Sequence, residues 1–201
     1  MTIESSIAFV LTMSLFVASP GPGVMACVAV AMKRNVNNSL AFLFGLIMGD
    51  MVYVIFAVYG LTALAKNFGT AFYVVRVLGG LYLFYLAYKM WKSTPGDMAA
   101  KAPSKKRSSA LSAFLITISN PKVIVFYCGF LPNFMDLTAL KGMDIAIVCM
   151  LVAFVITIVM GTYTVVAYKT GGFISKRSGK LLNRSAGTAL AVTGSYLILK
   201  R

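Results

Sequence analysis

The sequence predicts an all-α integral membrane protein of six transmembrane helices in two inverted three-helix repeats, with helices 1 and 4 interrupted near the midplane. Three observations predict it. The 201 residues are 59% hydrophobic and 12% charged, with a mean hydropathy of +0.85, whereas a soluble domain carries about 25% charged residues. Six stretches reach the roughly 20 apolar residues that a bilayer crossing needs. A proline-centred interruption recurs in the first helix of each half, as "SPGPG" from Ser19 to Gly23 and "SNPK" from Ser119 to Lys122.

The six spans cover about 3–31, 40–64, 68–91, 110–131, 144–168 and 180–199. The first carries Glu4 where a leader would be basic and has no cleanly placed small-x-small cleavage pattern, so it reads as a retained helix. The second holds Gly45 and Gly49 at the spacing that lets helices approach closely, next to Asp50. In the third, Tyr85, Tyr88 and Trp91 share a helical stripe suited to the inner interface, and Arg76 is placed to snorkel outward. The polar stretch from Lys92 to Ser109, rich in Pro, Gly, Ser and Lys, reads as a flexible cytoplasmic linker. The chain is thus one membrane domain: 1–91 the first repeat, 92–109 the basic linker, 110–201 the second repeat.

The halves echo each other. A shift of 101 residues lays Pro20 on Pro121, Cys27 on Cys128 and Gly60 on Gly161, and a shift of 108 lays Arg76 and Gly79 on Arg184 and Gly187. Three spans are an odd number, so the second copy enters the membrane in the opposite direction, as in many secondary transporters. Charge orients the whole. Of the nineteen Lys and Arg residues, thirteen fall on one set of loops and four on the other, with Arg76 and Lys122 inside spans. Basic loops stay cytoplasmic, which predicts both termini outside and loops 32–39, 92–109 and 169–179 inside. The net charge of +14 is therefore read as a topology signal and not as a nucleic-acid surface.

Proline removes one helical N–H and collides with the carbonyl four residues earlier. Pro20 and Pro22 accordingly free the carbonyls of Phe16 and Ala18, and Pro121 frees that of Thr117. In lipid such groups must face protein, water or a ligand. Both breaks also follow helix-start grammar, a capping residue and then proline: Asn120-Pro121 in one half, Ser19-Pro20 or Gly21-Pro22 in the other. Two helix N-termini then meet at mid-depth, each equivalent to roughly +0.5 charge and suited to a carboxylate. Gly21 and Gly23 allow close approach to the backbone, and the carbonyl ends suit an ammonium. A zwitterionic amino acid fits both. The predicted substrate-binding residues are Ser19, Pro20, Gly21, Pro22, Gly23, Asn120, Pro121 and Lys122. Asp50 and Lys122 lie at similar depth, must face inward, and are read as partners. Asp50 is the one carboxylate deep in a span and so the proton carrier of a coupled transporter.

Together "SPGPG", "GLIMGD", "VRVLGGLYLFYLAYKMW" and "SNPKVIVFYCGFLPNF" resemble the LysE/RhtB family of amino-acid exporters. The resemblance is strong through residue 134 and weakens in the last two helices. It implies proton-driven export of amino acids across a bacterial inner membrane, with the family's motifs carried onto Pro20, Gly21, Pro22, Gly49, Asp50, Asn120, Pro121 and Lys122. "NPK" followed by an aliphatic run resembles the RhtB branch, which favours neutral, homoserine-, threonine- or leucine-like substrates. Some basic-amino-acid exporters carry a second Asp soon after "NP"; here 123–130 has no acid.

Rival readings use other features. Cys27 and Cys128 stand at matched positions, as in membrane thiol–disulfide carriers, but seven residues past each proline. An inorganic-ion exporter would want several carboxylates, thiolates or imidazoles in one cavity. An enzyme is not expected: there is no histidine and one deep carboxylate, hence no Ser/His pair and no acid dyad. The sequence calls for no cofactor and no metal, and for an amino acid, protons and the lipid bilayer as partners, with homo-oligomerisation left open.

Overall fold

Lipid offers the backbone no hydrogen-bond partners, so a chain this apolar crosses it only with those bonds closed inside helices. The computed structural model describes residues 3–19, 21–61, 106–136 and 139–170, with single positions between 74 and 92 and between 184 and 198. Every regular element among them is helical.

The first span is two helices, α1 (Ile3–Ala18) and α2 (Pro22–Ala31), bent by 66° at the break. Next comes α3 (Val36–Phe56), which begins before the expected apolar run because the Asn35 side chain accepts the Asn38 N–H at 3.0 Å and caps a polar first turn. It continues as a π turn, Ala57–Leu61. The fourth span is also broken: α4 (Lys106–Ile118) is followed by α5 (Pro121–Val125), a π turn (Phe126–Phe130) and the short α6 (Leu131–Phe134), with a bend of 54°. Then α7 (Gly142–Thr170) runs 29 residues without interruption. At 1.5 Å per residue that is roughly 43 Å, longer than a hydrocarbon core of about 30 Å. Among the described residues, two helices are long and apolar enough to cross a membrane, and four spans result if each bent pair counts as one.

One boundary differs from expectation. The sequence places the polar linker through Ser109, and the chain is helical from Lys106. Packing decides this, since Ala110 on the second turn lies directly against α3. The third and sixth spans, Pro20, Arg76 and the loop beyond Thr170 lie largely outside the described residues. Within what is described, Trp91 donates its indole N–H to the Arg184 carbonyl at 3.2 Å, and its ring covers Gly187 so closely that a Cβ there would sit 2.6 Å from it.

The core is rich in aromatic rings and runs along the inside of α1, α3, the π turn after α5, and α7: Phe9, Met13, Phe42, Phe126, Tyr127 and Ile156 are all but fully buried. Phe16 and Phe126 approach to 4.6 Å between ring centres. The outward faces carry Leu11, Leu15, Phe44, Ile55 and Phe154, all exposed, which is the arrangement expected where the solvent is lipid. The closest helix pair is α3 with α4. A Cβ on Gly45 would stand 2.1 Å from the Ala110 carbonyl oxygen, and one on Gly49 would stand 2.6 Å from the Thr117 Cβ. The two glycines thus set the separation of these helices.

Gly45→Ala should therefore force α3 and α4 apart and cost about 1–3 kcal/mol, the usual cost of overpacking. Gly161→Ala, where a Cβ meets nothing within 4 Å, should leave stability unchanged or slightly raised. Unfolding of the two purified variants in detergent checks the contrast.

Candidate functional site

The breaks determine the local geometry. In the first, the chain caps α2 with Gly21 and places Pro22 at its first position, so of the two registers the Gly21-Pro22 one is realised. Gly21 is extended, with φ −166° and ψ −179°, and makes no side-chain cap. Ser19 turns back instead, donating its hydroxyl to the Phe16 carbonyl at 2.6 Å. In the second break Asn120 caps α5, its side-chain oxygen accepting the Lys122 N–H at 3.1 Å, and Pro121 occupies the first position.

The three carbonyls that the prolines free are each provided with a donor. Phe16 receives the Ser19 hydroxyl, and Thr117 receives the Asn120 N–H at 3.0 Å. Ala18, the last residue of α1, receives the Tyr163 hydroxyl from α7 at 2.7 Å. Ile118, the last residue of α4, likewise receives the Tyr53 hydroxyl from α3. Each broken helix therefore has its terminal carbonyl closed by a tyrosine from a neighbouring helix. Neither tyrosine was singled out from the sequence.

Lys122 spans the two breaks. Its ammonium donates to the Ser19 carbonyl at 2.7 Å and lies 4.7 Å from the centre of the Phe16 ring. Its aliphatic stem covers Gly21, where a Cβ would be 3.5 Å from the Lys122 Cδ. A charge-assisted hydrogen bond contributes about 1.5–3 kcal/mol, and an ammonium over an aromatic face adds up to about 2 kcal/mol when desolvated. Asp50 is buried close by, within electrostatic range of Lys122, but the two do not form a contact ion pair; the ammonium is spent on the backbone. Tyr127 stands beside Asp50. Its hydroxyl is buried and completes no hydrogen bond of good geometry, while its ring stacks on Tyr53 at 5.9 Å and 7°.

These groups border one cavity of about 50 Å³, lined by Gly21, Gly23, Asp50, Asn120, Lys122 and Tyr127 together with Phe16, Thr117 and apolar residues of α1, α3 and α7. A water needs roughly 10–15 Å³ of such space, so the cavity admits water. Of the other predicted site residues, Ser19 is buried behind Lys122, Pro22 is exposed, and Pro20 lies outside the described residues. At Gly23 a Cβ would come no nearer than 3.9 Å to its surroundings. The cysteines stand apart from this chemistry. All three are free, and the Cys27 thiol lies 3.1 Å from the Thr164 hydroxyl.

Tyrosine offers a signal that the sequence did carry: a hydroxyl on an apolar span needs a partner when buried. Spacing along the chain could not say which one, because Tyr53 and Ile118 are 65 residues apart and Tyr163 and Ala18 are 145 apart.

Tyr53→Phe and Tyr163→Phe should each remove the donor of a half-buried helix-end carbonyl and cost about 1–3 kcal/mol. Tyr127→Phe, which removes a hydroxyl beside the Asp50 carboxyl and leaves both helix ends capped, should cost less. Denaturant unfolding of the three variants in one detergent distinguishes structural tyrosines from the unspent one.

Comparison with known proteins follows the same lines. The family model for LysE type translocators matches residues 14–201. The homoserine/homoserine lactone efflux protein of Salmonella typhimurium is 25% identical, covering 100% of this chain and 99% of its own length. The leucine efflux protein of Enterobacter sp. is 30% identical over 65% of this chain and 64% of its own. An uncharacterized membrane protein of Synechocystis sp. is 27% identical over 93% of this chain and 92% of its own. No solved structure matches the chain.

Proposed function

The chain belongs to the LysE type translocator family, and from that premise we propose that it exports small neutral amino acids from the cytoplasm in exchange for protons. Family members are efflux transporters, so the chain is a transporter and not an enzyme. The observation that carries the finer reading is that both helix breaks and the buried Asp50 border one cavity between α1, α3, α5 and α7, its wall otherwise largely apolar.

On this reading the substrate carboxylate is received at the start of α2. There the first-turn N–H groups of Gly23 and Val24 have no partner within the helix, and the macrodipole favours an anion. The unspent Tyr127 hydroxyl is a further donor on the same wall. Asn120 and Lys122 form the opposite wall, and Asp50 carries the proton. Apolar neighbours such as Val24, Leu46 and Met160 suit an uncharged side chain, in keeping with relatives named for homoserine and leucine efflux. Both breaks border the cavity, and the bends there are where α1 and α4 can give as a substrate enters. The proposed architecture is six spans in two inverted halves, with both termini outside and the basic loops in the cytoplasm of a bacterial inner membrane.

Export is tested by loading proteoliposomes with labelled homoserine, leucine, threonine and lysine and following efflux under an imposed proton gradient. Homoserine-, threonine- or leucine-like substrates should leave and lysine should not; release that is indifferent to the gradient would remove proton coupling. Asp50→Asn should insert and unfold like the wild type yet lose gradient-driven efflux. Pro121→Ala, which restores the fourth span toward a continuous helix, should raise the half-saturating substrate concentration severalfold.

A further inference from the structure

The Lys122 ammonium does not stand where its sequence position alone would leave it. It reaches from α5 across to the other broken helix and settles on the carbonyl of Ser19, one residue past the end of α1. That carbonyl belongs to a helix C-terminus, the end that carries partial negative charge. The face of Phe16 lies 4.7 Å away, and the Asp50 carboxyl adds favourable charge from α3. A backbone carbonyl, an aromatic face and a nearby carboxyl are the three elements that recognise a primary ammonium. Ser19 and Lys122 are buried and Phe16 nearly so, the last with 9% of its surface exposed. The ammonium is therefore held by the protein and not by bulk water.

We propose that the Ser19 carbonyl and the Phe16 ring form a primary-ammonium site, occupied by Lys122 while the transporter is empty and taken over by the α-ammonium of the substrate during transport. This deepens the amino-acid reading given above and rests on it. An amino acid bound with its carboxylate at the start of α2 brings its ammonium within a few ångströms of that carboxylate. The Ser19 carbonyl precedes the start of α2 by only three residues. Lys122 cannot share a single carbonyl lone-pair direction and one ring face with a second ammonium, so the two compete. On displacement the lysine stem turns off Gly21, which it now covers, and the ammonium moves toward Asp50. Loading thereby uncovers the Gly21 backbone as well. The resident lysine also explains why an empty site of this kind does not leave a helix-end carbonyl orphaned in the membrane.

The test uses methylammonium as the smallest probe with the same head group. In full-length Lys122→Ala protein in detergent, methylammonium at a few times its dissociation constant should raise the unfolding midpoint by about 2–4 °C. It should do nothing for the wild type, where Lys122 holds the site, nor for Phe16→Leu/Lys122→Ala. Equal shifts in all three proteins, or none in any, would overturn the proposal. A second measurement needs no variant. In the wild type, an amino acid shown to be exported should increase acylation of Lys122 by a small amine-reactive ester severalfold, read by mass spectrometry, while the N-acetylated form of that amino acid should not. Unchanged labelling by the amino acid would also overturn it. Methylammonium failing while proteoliposomes still export amino acids rejects this site alone; absence of amino-acid export rejects the broader reading.

Discussion

A helix broken inside a bilayer exposes carbonyl groups that lipid cannot satisfy, and most of this structure follows from how those groups are provided for. Five residues supply the donors. Ser19 and Asn120 serve their own breaks, Tyr53 reaches from α3 to the end of α4, and Tyr163 reaches from α7 to the end of α1. Lys122 joins the two breaks directly. The two tyrosine bonds tie each interrupted span to a long helix, so α3 and α7 act as the frame on which the broken spans are hung. Were one donor lost, the cost would fall at the break and not be spread over the core, because a buried unpaired carbonyl has no water to turn to.

The two sides of each break are not treated alike. The carbonyl ends are fully engaged by the protein, whereas the N-terminal side of α2 opens on a cavity whose walls hold Asp50, Lys122 and the unspent Tyr127 hydroxyl. That asymmetry is what separates a break used for packing from one that faces a solute. It sits beside a contact of the opposite kind. Gly45 and Gly49 bring α3 and α4 to backbone contact, leaving that pair little freedom to change its spacing. The glycine contact fixes the spacing of α3 and α4, and the bends of 66° and 54° set α1 and α4 at an angle to the segments that follow them.

Kinship extends the same logic. A homoserine efflux relative aligns over the whole chain at 25% identity, which is enough to share an architecture and too little to share every pocket residue. On the proposed reading substrate choice rests on the side chains lining the cavity, which are aliphatic and aromatic apart from the few polar groups at the breaks.

The apolar stretches, the proline breaks, the buried Asp50 and the Gly45–Gly49 spacing were legible in the sequence, because each rests on local chemistry. Length and hydropathy determine whether a segment can cross lipid. Proline acts on a carbonyl four residues away, and glycine acts by what its own Cα lacks. Asn120 before Pro121 belongs to the same class, for a cap and its target are two residues apart. Tertiary structure alone decided which of two registers starts α2, which hydroxyls close the ends of α1 and α4, and that Lys122 turns to the Ser19 carbonyl and not into contact with Asp50. The physical reason is range. These choices are made between groups 65 to 145 residues apart along the chain, and only the packing of the helices brings a donor within 3 Å of the acceptor that needs it.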